Sequence, residues 1–123
     1  MQSLNVVLLQ SDSRVAQSLV SALANSCSSV RQVESLSELR SNIAKHRAGI
    51  AIVDMEAASI SDVEHLSREF PKACIVCTHR LADEDMWTAA VSAGAADVCP
   101  PSDTRCILRA ALRNASVAHS AAA

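Results

Sequence analysis

Apolar residues fall in five short runs, each followed by a longer stretch in which they recur at helical spacing. The central run, Ile50-Ala51-Ile52-Val53-Asp54, places four apolar residues directly before a carboxylate. It predicts a strand buried on both faces, as in the middle of a parallel sheet. Flanking runs over Leu4 to Leu9, Val30 to Val33, Ala73 to Thr78 and Ala96 to Cys99 predict four more strands. Between them, Val15, Leu19, Ala22 and Leu23 form the stripe of a first helix, capped by Asp12 or Ser13. Ser35-Leu36-Ser37-Glu38 is a capping-box pattern for a second helix, with Leu36, Leu39 and Ile43 inward and Ala48-Gly49 ending it. Ser61-Asp62-Val63-Glu64 suggests the same device for a third, which buries Val63, Leu66 and Phe70 before Pro71 stops it.

Asp83, Glu84 and Asp85 suit the first turn of a fourth helix carrying Met86, Ala89, Ala90 and Ala93 and ending at Gly94. Pro100-Pro101 makes a rigid turn, and Ser102 or Asp103 caps a last helix with Ile107, Leu108, Ala111 and Leu112 inward. Residues 1–115 thus read as one domain and 116–123 as a flexible tail or the start of a linker. Strict alternation of strand and helix implies an α/β fold. The expectation is a single flavodoxin-like (βα)5 domain, with a parallel five-stranded sheet in order 2-1-3-4-5 and helices on both faces. In that order Gln10, Ser11 and Asp12 after the first strand, Asp54 after the third, and Thr78 and His79 after the fourth face one crevice at the strands' carboxyl ends. Asp54 has the plainer alternative of capping the loop that follows it.

Composition changes this picture little. Half of the 123 residues are apolar, yet there is one Phe, one Trp and no Tyr, so the core must be built from Ala, Val, Ile and Leu. A net charge of −2 gives no electrostatic reason to expect nucleic acid or an anionic membrane as a partner. No apolar run has the length of a membrane span and no signal-peptide pattern opens the chain, so a cytoplasmic location is expected. An odd count of five cysteines in that setting argues for reduced thiols. Cys74 and Cys77, followed by His79, have the spacing of a zinc or redox motif. On a buried strand, however, residues three apart face opposite ways, so small buried hydrophobes are the better reading. His46, His65 and His119 read as solvated.

The segments Val6 to Ser13, Ile50 to Glu56, Ile75 to His79 and Ala93 to Val98, at these spacings, resemble the receiver domain of bacterial response regulators. The resemblance spans roughly Leu4 to Ala115. It implies that Asp54 occupies the position of the aspartate that accepts a phosphoryl group from a histidine kinase, and Thr78 that of the switch hydroxyl. It also marks departures. The two acids that hold Mg²⁺ in that family correspond to Gln10 and Ser11, with Asp12 acidic but one place too far along. The family lysine after the fifth strand falls on Pro101 by ungapped counting, or on Pro100 with one deletion. Val98 stands at the aromatic switch position.

Phosphoryl transfer depends on positioning and on cations that neutralise the equatorial oxygens. A site without the acid pair and the lysine is therefore expected to hold Mg²⁺ weakly, to need no other cofactor and to transfer phosphate poorly. Arg80 is a nearby cation that could compensate, or a solvated loop arginine. The expected function is non-enzymatic: a receiver-type signalling module of a two-component or related phosphorelay system, acting by protein contact. The alternative is an active phosphoacceptor modified on Asp54. Partners would be a histidine kinase or an output domain. A homodimer would form through the fourth helix, fifth strand and fifth helix, where Asp97 and the row Arg105, Arg109 and Arg113 supply charge. Trp87 on the fourth helix reads first as core packing and second as part of that contact face.

Overall fold

The computed structural model describes residues 5–25, 27, 29–81 and 83–111. Leu4, Leu112, Arg113, Ala115, His119 and the expected tail over 116–123 lie outside the described residues.

At the centre is β3 (Ile50–Asp54), all five residues of which are buried, as a run of β-branched side chains without polar alternation requires. Around it the chain alternates: β1 (Asn5–Leu9), α1 (Ser13–Ala24), β2 (Ser29–Val33), α2 (Leu36–His46), then β3, α3 (Ile60–Glu69), β4 (Cys74–Thr78), α4 (Glu84–Ser92) and β5 (Asp97–Cys99). A last helix, α5, runs from residue 104 to the end of the described region at 111. The five strands are parallel in the order β2-β1-β3-β4-β5, the flavodoxin-like arrangement the alternation implied.

The strand pleat sorts the core into two layers. Val7, Leu9, Ala51, Val53, Ile75, Cys77 and Val98 meet Leu39, Ile43, Val63, Leu66 and Ala90 of α2, α3 and α4 on one face. Val6, Leu8, Ile50, Ile52, Val76 and Cys99 meet Ala16, Leu19 and Leu23 of α1 and Ile107, Ala110 and Ala111 of α5 on the other. Cys74 and Cys77 belong to opposite layers, so they cannot converge on one ion.

Helix ends correct the expectations in two places. The capping box of α3 lies two residues earlier than Ser61 to Glu64. Ser59 Oγ accepts from the Asp62 N–H, and the Asp62 carboxylate accepts from the Ser59 N–H. An acid one carbon shorter than Glu makes the reciprocal bond, and Ile60 is thereby brought against the core. In α2 the left-handed cap is Arg47, with φ of 50°, whereas Gly49 faces no crowding. Ser35 and Asp83 cap α2 and α4, and Asp12 caps α1 through the Arg14 N–H. Gly94 ends α4 at φ of 116°, pressed so close to Ser67 of α3 that a Cβ would lie 2.1 Å from Ser67 Oγ.

Candidate functional site

Parallel pairing brings the ends of β1, β3 and β4 side by side. Leu9 pairs with Val53, and Asp54 pairs with Thr78. The residue after β1, Gln10, therefore enters the same crevice, and Gln10, Asp54 and Thr78 are the buried polar residues of the described chain. Asp54 is 2 % exposed.

Its carboxylate is engaged on both oxygens by uncharged donors. Oδ2 accepts from Gln10 Nε2 at 3.3 Å, from the Ser11 N–H at 2.9 Å and from Ser11 Oγ at 2.5 Å. Oδ1 accepts from the Glu56 N–H at 2.9 Å. Thr78 Oγ1 donates to Gln10 Oε1 at 3.1 Å, so the threonine hydroxyl meets the glutamine and the glutamine meets the aspartate. No buried side-chain polar atom among the described residues lacks a partner. Gln10 is thus the hub of the network, an acceptor for one neighbour and a donor to the other, a dual role that a carboxylate cannot fill. The loop reading of Asp54 is also partly true: its backbone oxygen accepts from the Ala57 and Ala58 N–H groups in the turn after β3.

The other expected site residues divide into near and far. Asp12 turns away, its carboxylate spent on capping α1. Arg80 is neither free nor aimed at Asp54: its guanidinium pairs with Glu56 Oε1 at 2.6 and 2.7 Å, both side chains substantially exposed. Glu56 was not among the expected site residues; its position two residues after Asp54 was the available signal. His79 donates its backbone N–H to the Cys99 oxygen and accepts from the Leu81 N–H at Nδ1. Pro101 lies half-buried in the turn after β5.

On the face made by α4, β5 and α5, Trp87 is 46 % exposed, so core packing is not its role. Its indole Nε1 donates to Asp97 Oδ1 at 3.0 Å, a satisfied polar tip beside an open apolar body. Leu81, 74 % exposed on the loop before α4, is a further apolar residue the sequence patterning did not single out. Arg105 and Arg109 are exposed on α5.

The expectation of five reduced thiols is overturned. Cys99 and Cys106 form a disulfide between the tip of β5 and the first turn of α5, with Cα atoms 6.0 Å apart. Folding, not spacing, makes this pair: the Pro100-Pro101 turn doubles the chain back so that a strand end faces a helix start. Cys27, Cys74 and Cys77 are free, and burial pushes the Cys74 and Cys77 thiols up to about 11 and about 12.

No family model matches the chain, and no curated protein matches it. Solved structures do. A response regulator from Thermotoga maritima superposes with a TM-score of 0.84 at 18 % identity, covering 94 % of this chain and 99 % of that one. The N-terminal signal receiver domain of a two-component response regulator from Bacteroides fragilis gives 0.82 at 19 % identity, with 93 % and 98 % covered. The signal receiver domain of the putative response regulator NarL from Mycobacterium tuberculosis gives 0.79 at 18 %, with 94 % and 98 % covered. The chain has the fold of a response-regulator receiver domain; at such identities the chemistry has to be argued from its own residues.

Proposed function

We propose that this chain is a receiver-type signalling module of a two-component or related phosphorelay system that works in the cytoplasm by protein contact, with metal-dependent phosphorylation of Asp54 impaired or lost. The observation that carries this reading is the convergence of three donors, from Gln10 and Ser11, on Asp54 Oδ2. Where a receiver would present acids to a cation, this one presents an amide and a hydroxyl to the aspartate.

The donor set does not fit Mg²⁺. The ion favours one or two carboxylates with water completing an octahedron. Here the single carboxylate is buried and already holds four hydrogen bonds. Opening the site would leave the Gln10 and Ser11 donors facing a cation. The positive charge expected after β5 is absent, since Pro100 and Pro101 occupy that turn, and Arg80 is paired with Glu56. Each tenfold in rate corresponds to about 1.4 kcal/mol, so losing both cations slows transfer by several orders of magnitude.

The contact surface in this reading is the α4–β5–α5 face, with Trp87, Asp97, Arg105 and Arg109 toward a histidine kinase, an output domain or a second copy. Among the described residues no helix is long and apolar enough to cross a membrane. The second reading, an active phosphoacceptor, draws on the pairing of Asp54 with Thr78 across adjacent strands. One experiment separates the two. After incubation with acetyl phosphate and Mg²⁺, intact mass is expected to show no adduct; a stoichiometric phosphoryl adduct that Asp54→Asn removes would reverse the conclusion. Sedimentation at high concentration tests self-association, and a strictly monomeric profile counts against the homodimer.

A further inference from the structure

We propose that Cys99 and Cys106 form a reversible dithiol–disulfide site, exchanged with small thiols and disulfides, whose state sets how α5 is held against the tip of β5. Two of the free cysteines are unsuited to such chemistry: Cys74 and Cys77 are buried in opposite core layers as thiols that resist ionisation. Cys99 and Cys106, in contrast, lie within bonding reach, and their surroundings differ. Cys99 is fully buried at the end of β5. Cys106 is half-buried in the first turn of α5, its N–H bonded to the Asp103 cap. One reachable sulfur and one shielded sulfur suit stepwise exchange: the first reacts with the outside agent and the second resolves the product.

Oxidation by a low-molecular-weight disulfide, RSSR, balances as follows. The Cys106 thiol loses its proton to solvent and attacks one sulfur of RSSR, forming Cys106–SR and releasing RS⁻, which is protonated. Cys99 then loses its proton and attacks Cys106 Sγ, closing the protein disulfide and expelling the second RS⁻. Two electrons pass from the cysteines to RSSR, which becomes two RSH. Reduction is the reverse, with an external thiolate attacking the reachable Cys106 sulfur.

The position of the crosslink gives the exchange a consequence. Cys99 pairs in register with Thr78, and its carbonyl accepts from the His79 N–H, so it borders the Asp54 network. Two residues earlier, Asp97 Oδ1 accepts from the Trp87 indole and the Val98 N–H. The short β5 strand therefore joins the crevice, the exposed tryptophan and, through the disulfide as well as the shared packing of Cys99 with Ile107, the first turn of α5 that bears Arg105. The Asp97, Cys99 and Cys106 ligand atoms all lie within 4.8 Å of one another. Asp97 Oδ1 is taken by Trp87 and Val98, however, and the two sulfurs are bonded to each other, which favours dithiol chemistry over a metal centre.

That the bond is transient rests on the cytoplasmic setting proposed above, because reducing compartments break standing disulfides. The experiment reads the bond itself, so either statement can fail without the other. The full chain is equilibrated in reduced and oxidised glutathione at graded ratios, its Trp87 emission is recorded, and it is then denatured and alkylated for intact mass. All five cysteines should be labelled at the reducing end and two fewer at the oxidising end, with Trp87 emission following the same midpoint. Cys27→Ser should keep the transition. Cys106→Ser should abolish it, and Cys99→Ser should trap one glutathione on Cys106. Five labelled thiols at every ratio, or the same loss of two labels in Cys106→Ser, would overturn the site. Emission that stays constant through a complete thiol transition would overturn the coupling to the α4–β5–α5 face.

Discussion

Four hydrogen bonds from uncharged donors make the Asp54 carboxylate a structural anchor. Asp54→Ala would leave the Gln10 amide, the Ser11 hydroxyl and the Glu56 N–H without their acceptor. Of these only the Gln10 amide is buried, Ser11 and Glu56 being exposed. A buried orphan costs about 1–3 kcal/mol, so a loss of about that size is expected in the unfolding free energy from urea denaturation, with Asp54→Asn losing less. The reciprocal change is more telling. Gln10→Asp with Ser11→Asp would gather three carboxylates in one crevice. That variant should melt below the parent without metal through like-charge repulsion, and Mg²⁺ should raise its melting temperature while leaving the parent's unchanged. The buried thiols make a pH prediction. Cys74 and Cys77 sit at about 11 and about 12 in the fold against an ordinary 9.0, so the unfolded chain releases their protons first. Their contribution is whole below 9.0 and is lost as pH rises from there through about 12. Denaturant titration should show Cys77→Ala flattening that alkaline decline.

At the scale of elements, α3 and α4 report where chain ends are set by tertiary contacts. Ser59→Ala removes the bond to the Asp62 N–H and should cost about 1 kcal/mol, whereas Ser61→Ala should cost close to none. The opposite ranking in chemical denaturation would restore the capping box to Ser61. Gly94 carries two constraints at once, a left-handed φ and contact with Ser67 of the neighbouring helix. Gly94→Ala should cost at least about 2 kcal/mol, and pairing it with Ser67→Gly should recover only the steric part.

For the molecule as a whole, the Cys99–Cys106 bond is a staple across the edge of the sheet. It closes a ring at a sequence separation of 7, which by the chain-entropy account stabilises the oxidised form by about 2–3 kcal/mol. Calorimetry should place the reduced protein roughly 10 °C lower in melting temperature. The staple, the crevice and the α4–β5–α5 face all meet at β5, the shortest strand among the described residues.

How much of this was legible beforehand follows from which forces act locally. Periodicity encodes burial, so the five strands, the inward face of each helix and the convergence of Gln10, Asp54 and Thr78 could be read along the chain. Gln10, Ser11, Pro100 and Pro101 could be read too, because they are residue identities at counted positions. Partner choice could not. Whether Arg80 meets Glu56 or Asp54, whether Trp87 turns inward, and whether Cys99 finds Cys106 depend on distances between segments that only packing brings together. Nor could a list of residues say that Gln10 links Thr78 to Asp54: a hydrogen bond needs two groups within about 3 Å, and the sheet register sets that spacing.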